Sequence, residues 1–306
     1  STGLGLIELA SAFEALKPDV VFTVGDRFET MATTIGAAYL NIPLAHSMGG
    51  EVSGNIDESI RHAVTKFANI HFVASNDAYQ RVIKLGEEPS SVFNTGCPRI
   101  DLVSEYLDRE GDLEAFVFNN GVGVPFNFND DFILISQHPV TSEYGSAEIQ
   151  ILRTLNAIKK LRTNAIVLWP NADGGTDSLS QGIRKFREKN PSENFYYIKN
   201  LPIETYVHLM KKTICLVGNS SSGIREGAYI GTPVVNIGSR QSGRERGVNV
   251  LDTGYEEIEI FKAVSTQISS GRKYKSASIY GDGKSGKKIA EILSTFQFNI
   301  QKRITF

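Results

Sequence analysis

Four carboxylates, Asp26, Glu51, Asp57 and Glu58, fall in loops or at helix starts that directly follow successive strand-like runs early in the chain. A parallel sheet gathers such positions at one edge, beyond the carboxyl ends of its strands, where ligands bind. Clustered carboxylates repel one another, so one can hold a proton while a neighbour stays ionised, as general acid and base chemistry requires. The same residue types also serve plain structural ends: Asp57 and Glu58 suit a helix N-terminus, and Asp26 suits a cap. Asp57 and Arg61 stand four apart on one predicted helix and so share a face.

A second set lies late in the chain. The stretch Thr213 to Gly238 reads as a strand, a loop of Ser220, Ser221, Ser222 and Gly223, a short helix carrying Glu226, and another strand. Hydroxyls and free backbone N–H groups at a helix start suit a phosphate, and Glu226 one turn further in can accept from sugar hydroxyls. Ordinary helix capping uses the same residues, and that alternative stays open. No Gly-Lys-Ser/Thr follows, so nucleoside triphosphate hydrolysis is not indicated. His138, fixed before Pro139 at a strand end, can contact phosphate or a sugar hydroxyl. In the turn 239–246, Arg240 and Arg244 follow a strand end beside the serine loop and are the candidate phosphate pair, against the alternative of a solvated basic turn. Together these sets describe a cleft in which a phosphate-holding half faces an acidic half across a nucleotide-linked substrate.

The elements that must position them read as an α/β series. A helix over Leu4 to Leu16 precedes a strand at Val20 to Val24, and strand and helix then alternate. The stretch 119–125 looks like a connector, which gives domains at 1–121 and 122–285 and a final helical segment at 286–306; both halves look doubly wound. An α/β domain normally begins with a strand, so residues before Ser1 are expected to be missing.

The 306 residues suffice for two domains. With 41% hydrophobic and 22% charged residues and a net charge of -2, nothing points to nucleic acid. Cys97 and Cys215 are the only cysteines, too few for a disulfide framework or a cysteine metal site, and both suit a reduced, cytoplasmic setting. No apolar run reaches the roughly 18 residues of a membrane span, and no signal peptide is visible.

The residues also carry a resemblance. The runs 24–29, 49–54, 56–63, 96–98, 137–141, 170–173, 218–226 and 240–245 resemble, in order, the hydrolysing UDP-N-acetylglucosamine 2-epimerases. The resemblance implies two Rossmann-like domains in the glycosyltransferase-B arrangement, with the first strand of the N-terminal domain missing and a last helix crossing back. It implies elimination of UDP across C1 and C2, then hydration with C2 inverted, releasing N-acetylmannosamine for nonulosonic acid synthesis. By position it implies acid/base roles for Asp26, Asp57 and Glu58, a place for His138 by the diphosphate, phosphate binding by Ser221 and Ser222, ribose binding by Glu226, and support from Arg61, Arg225, Arg240 and Arg244. It implies a homodimer or homotetramer and neither cofactor nor metal. Many members carry a glutamate where this chain has Met48, and a thioether cannot shuttle protons. Either Glu51 or Asp26 takes that work, or the substrate is UDP-N,N'-diacetylbacillosamine, on the way to legionaminic acid. A glycosyltransferase, or a nucleotide-sugar sensor without turnover, would use the same scaffold.

Overall fold

Short runs of aliphatic residues ending at Gly, Ser or Asn form the strands, and helices drawn from the polar stretches between them cover the sheets. The computed structural model describes residues 2–53, 56–109, 113–140, 143–170, 175–271 and 273–305. The chain divides into two units, one of Ser1–Asp101, Gly243–Glu245 and Ile279–Phe306, the other of Leu102–Ser242 and Arg246–Ser278. Among the described residues no helix is long and apolar enough to cross a membrane.

The first unit opens with α1 (Thr2–Leu16), followed by β1 (Val21–Val24), α2 (Phe28–Tyr39), β2 (Leu44–Ser47), α3 (Ile56–Phe67), β3 (Ile70–Val73), α4 (Asn76–Lys84) and β4 (Val92–Asn94). The four strands are parallel and lie in chain order, β1-β2-β3-β4. The two-way winding expected of this half is therefore not seen among the described residues, because β1 is an edge strand with a single partner. It shows the alternation of an edge, Val21 and Thr23 inward and Phe22 and Val24 outward, whereas β2 and β3 are buried throughout. Val24 pairs with Ser47 in register, so Asp26 and the loop from Met48 to Ser53 leave the same edge of the sheet.

The second unit begins within α5 (Pro98–Tyr106) and continues through α6 (Leu113–Asn120), β5 (Gly121–Gly123), β6 (Phe132–Ser136), α7 (Ala147–Lys159), β7 (Asn164–Leu168), α8 (Thr176–Lys189), β8 (Phe195–Ile198) and α9 (Ile203–Lys212). Then come β9 (Cys215–Gly218), α10 (Ser221–Ile224), α11 (Glu226–Ile230), β10 (Val234–Ile237), β11 (Val250–Thr253) and α12 (Glu257–Ser269). The sheet order is β11-β10-β9-β6-β7-β8-β5, doubly wound about β6, with only β5 antiparallel. In place of a connector, 121–123 is a strand on β8. The division falls after Asp101, not at 121, because pairing with Tyr196 to Ile198 draws that segment into the second sheet.

The last helix, α13 (Ser285–Thr295), belongs to the first unit, where Ser285 Oγ donates to Gly96 O at 2.8 Å and Asp101 accepts the N–H groups of Ser285 and Gly286. Ile289 and Phe296 join Phe72 and Ile70 in its core. Beyond it Lys302 donates to the carbonyls of Thr65, Lys66 and Ala68, the carbonyls left open at the end of α3. Its ammonium also lies 2.5 Å from Glu87, which Lys66 approaches at 2.6 Å and His71 at 3.0 Å. Burial alone would push the Glu87 carboxyl up, but donation from His71, Lys302 and Lys66 outweighs it and holds the group at about 2.

A carboxyl held below its ordinary 4.5 gives its full stabilisation above that pH and loses it as pH falls toward about 2. Glu87→Gln therefore costs about 3–5 kcal/mol at neutral pH, because it leaves the Lys302 charge unbalanced, and flattens the loss of stability below pH 4.5. Urea unfolding as a function of pH measures both, and matching profiles for variant and parent would show that the network carries no stability.

Candidate functional site

In the first unit the acidic residues are organised around one cation. Arg61 lies on the second turn of α3 and is only 2% exposed. Its guanidinium donates to the Asp26 carboxylate, to Glu51 O at 2.6 Å and to Ser53 Oγ at 3.2 Å. Ser53 N in turn donates to Glu58 Oε2 at 3.0 Å, and Glu58 faces His62 at 3.5 Å. Glu51 lies 3.3 Å from Arg244, whose Nε donates to Val52 O at 3.1 Å. Asp26 and Glu51 each lie against a guanidinium, so charges of opposite sign alternate here in place of the repelling carboxylate cluster expected. Asp57, half-buried in the first turn of α3, stands one turn before Arg61.

His46 fixes the loop that carries Asp26. It is fully buried on β2, its Nε2 lies 2.9 Å from Gly25 O and its Nδ1 3.3 Å from Thr65 Oγ1. Burial pulls the imidazole down to about 4 against the pull of the Gly25 carbonyl, so at neutral pH it is an uncharged donor to that carbonyl. Sequence reasoning passed over this residue, although an imidazole ending a buried strand just before a Gly-Gly turn was a signal. The turn after it is tight: Met48 and Gly50 have φ of 70° and 75°, and a Cβ on Gly50 would lie 2.3 Å from Ala78 O. Met48 is buried, its N–H donating to Phe72 O.

In the second unit β6 and β9 pair side by side, and the chain leaves them in opposite directions across the sheet, which makes their carboxyl ends the switch point where doubly wound sheets bind ligands. The loops from these two strands are joined by Asn219, which accepts from His138 N at 2.7 Å and donates to His138 O at 2.8 Å. They can approach because Gly218 has φ 139° and no side chain; a Cβ there would lie 2.1 Å from Ser136 O. Ser220 caps α10 by accepting from Ser222 N at 3.4 Å, and its hydroxyl also lies 2.8 Å from Ser222 Oγ. Tyr206, its hydroxyl pushed up to about 12 by burial, reaches Ser222 Oγ at 2.5 Å. Ser221 Oγ accepts from Arg225, Gly223 packs its backbone against Val234 and Leu216, and Glu226 is buried at the start of α11. Arg240 Nη1 and Gln241 Nε2 both donate to Asn219 O, at 3.2 and 2.8 Å.

The structure thus brings Asp26, Glu51, Glu58 and Arg61 together in one unit, and His138, Ser220, Ser221, Ser222, Gly223, Arg225, Glu226 and Arg240 in the other. Of the two arginines expected to act as a pair, Arg244 is grouped with the first unit and meets Glu51 and Val52, and Arg240 is grouped with the second and donates to Asn219 O. Gly54, Thr141 and 171–173, which contribute to the motifs above, lie outside the described residues.

Comparison with known proteins bears on this arrangement. A family model described as UDP-N-acetylglucosamine 2-epimerase matches residues 1–294. A UDP-N,N'-diacetylbacillosamine 2-epimerase (hydrolyzing) of Legionella pneumophila is 35% identical over 299 residues, which are 98% of this chain and 77% of that protein. A UDP-N-acetylglucosamine 2-epimerase of Neisseria meningitidis is 31% identical over 95% of this chain and 75% of its own length. A crystal structure of UDP-GlcNAc 2-epimerase from Neisseria meningitidis bound to UDP-GlcNAc matches with a TM-score of 0.82 at 20% identity, over 96% of this chain and 81% of that one. The architecture is accordingly that of two Rossmann-like domains, the glycosyltransferase-B class.

The closeness of the two loops at the switch point can be measured. Gly145 has φ 88° and nothing within 4 Å of a built Cβ, so Gly145→Ala carries only the backbone cost, about 1–2 kcal/mol. Gly218→Ala adds a clash with Ser136 O and should cost on the order of 3 kcal/mol or more. Equal shifts in urea midpoint would show that the β6 and β9 loops are not held in close approach.

Proposed function

Because the chain belongs to the UDP-N-acetylglucosamine 2-epimerase family, we propose that it is a hydrolysing nucleotide-sugar 2-epimerase, converting a UDP-2-acetamido sugar and water to UDP and the free 2-epimer. The observation that carries this reading is the switch point of the second sheet, where Asn219 ties the His138 loop to the serine loop. In this reading Ser220, Ser221, Ser222, Gly223, His138, Arg225 and Arg240 hold the diphosphate, and Glu226 accepts from the ribose hydroxyls. These groups supply neutral and cationic donors, which suit a leaving diphosphate that gains charge as it departs.

The first unit supplies proton transfer. A base takes the proton from C2, the C1–O bond breaks with its electron pair going to the UDP oxygen, and a C1–C2 double bond forms. Water then adds its oxygen to C1, and C2 receives a proton on the opposite face. Asp26, Glu51, Asp57 and Glu58 are the groups for these transfers, with Arg61 and Arg244 as positioning residues that hold two of the carboxylates in place. His46 positions the Asp26 loop.

For the sugar, UDP-N,N'-diacetylbacillosamine is the first reading. Met48 is buried at a place where a carboxylate would be an acid/base group, and the Legionella relative is named for that substrate. UDP-N-acetylglucosamine, giving N-acetylmannosamine, is the second, supported by the Neisseria relative. Either product suits nonulosonic acid synthesis.

Incubation with each UDP-sugar should release UDP and a 2-epimerised free sugar without any acceptor, and mass analysis of the sugar decides between the substrates. Release of UDP only when an acceptor is added would make the protein a glycosyltransferase, and no release from either would end the proposal. Asp26→Asn should lower turnover about 10²- to 10⁴-fold with UDP binding retained. An unchanged rate removes Asp26 from the proton transfers.

A further inference from the structure

A small cavity of about 190 Å³ opens on the face of the second sheet that α8 covers, lined by none of the residues assigned above. Its wall is formed by Trp169 just after β7, Tyr197 on β8, Lys199 just after β8, and Arg184 and Arg187 from successive turns of α8. Arg184 lies over the Trp169 ring at 5.7 Å and Arg187 over the Tyr197 ring at 5.9 Å, so both guanidiniums are held by aromatic faces. Neither they nor Lys199 meet a carboxylate among the described residues. Neighbouring cations on this side of the sheet do, Lys185 with Glu148 at 2.6 Å, Lys159 with Glu193 at 3.1 Å and Lys160 with Glu257 at 2.5 Å. Three positive charges around one cavity, two of them exposed and none with a carboxylate partner among the described residues, depart from that pattern.

An independent feature points the same way. Tyr197 is 4% exposed, lines the cavity, and its hydroxyl has no hydrogen-bond partner among the described residues. A buried hydroxyl left without a partner is costly, on the order of 1–3 kcal/mol, unless something else accepts from it. Burial pushes the phenol up, with Arg187 opposing, so it stays protonated and keeps a proton to donate.

We propose that this cavity is a binding site for a small phosphate monoester, with the phosphoryl group between Arg184, Arg187 and Lys199, the Tyr197 hydroxyl donating to one of its oxygens, and the short organic stem against Trp169. Two guanidiniums, an ammonium and a phenol match the several acceptor oxygens and double charge of a phosphoryl group. The volume, below the roughly 300 Å³ at which pockets for drug-sized ligands begin, leaves room for a short stem and not for a nucleotide. The site shares no residue with the groups proposed to hold UDP and is independent of whether UDP is released.

Trp169 is the chain's single tryptophan, so its fluorescence reports this cavity. Titration with glycerol 3-phosphate, and separately with inorganic phosphate, against potassium chloride at matched ionic strength should give a saturable change that chloride does not reproduce, with calorimetry run in parallel in case the indole is silent. Arg187→Gln and the exposed Lys199→Gln should each weaken binding about tenfold or more, and Tyr197→Phe by several-fold, while Ser222→Ala leaves the curve unchanged. Tighter binding of the ester than of inorganic phosphate assigns the stem to Trp169, and equal binding reduces the site to its phosphoryl half. No saturable binding by either method, or binding that survives Arg187→Gln and is lost in Ser222→Ala, would overturn the proposal.

Discussion

A guanidinium withdrawn from water has to find its charge balance inside the protein, and the way Arg61 does so sets the shape of the first unit's ligand edge. Its donors bind the loop after β1 through Asp26 and the loop after β2 through Glu51 O and Ser53, while its own backbone is fixed in α3. One side chain thus ties the loop after β1 to the loop after β2 and to the helix that follows it. The Asp26 carboxylate is held by Arg61 and that of Glu51 by Arg244, and acid/base chemistry on this edge would inherit that geometry.

The second unit meets a related demand with backbone and amide. Where β6 and β9 part, two loops must lie close and keep their polar groups satisfied. Gly218 removes the steric obstacle and Asn219 supplies both a donor and an acceptor to the backbone of His138. Arg240 and Gln241 then converge on Asn219 O, so the protein's own groups hold the polar loop. Preorganisation of this kind lowers the cost of holding a ligand, since little has to be fixed on binding.

Much of this was readable from residues. The strands were, because parallel strands buried on both faces appear as unbroken aliphatic runs such as Phe132 to Ile135. So were the loops that follow them, because Gly, Ser and Asn punctuate each run. The strand at Gly121 to Gly123 was not, since it is held by antiparallel backbone pairing to β8 and carries almost no side-chain signal. Partner choice among charges was also hidden. Arg240 and Arg244 stand four apart, yet Arg244 belongs with Glu51, and Glu87 is balanced by Lys302 from the far end of the chain. The phosphate-sized cavity depends on α8 packing across β7 and β8, and no spacing along the chain announces it.

The first unit is assembled from three separate pieces of chain, and its closing pieces are made after most of the second unit. Ile289 and Phe296 complete a core begun by Ile70 and Phe72, and Lys302 adds a second ammonium beside Lys66 on Glu87. A nascent chain emerging from the ribosome therefore carries an open apolar surface on its first sheet while the second unit is being synthesised. The long-range closure that follows is a slow kind of folding step, and until it occurs the sheet of β1 to β4 stands open to aggregation.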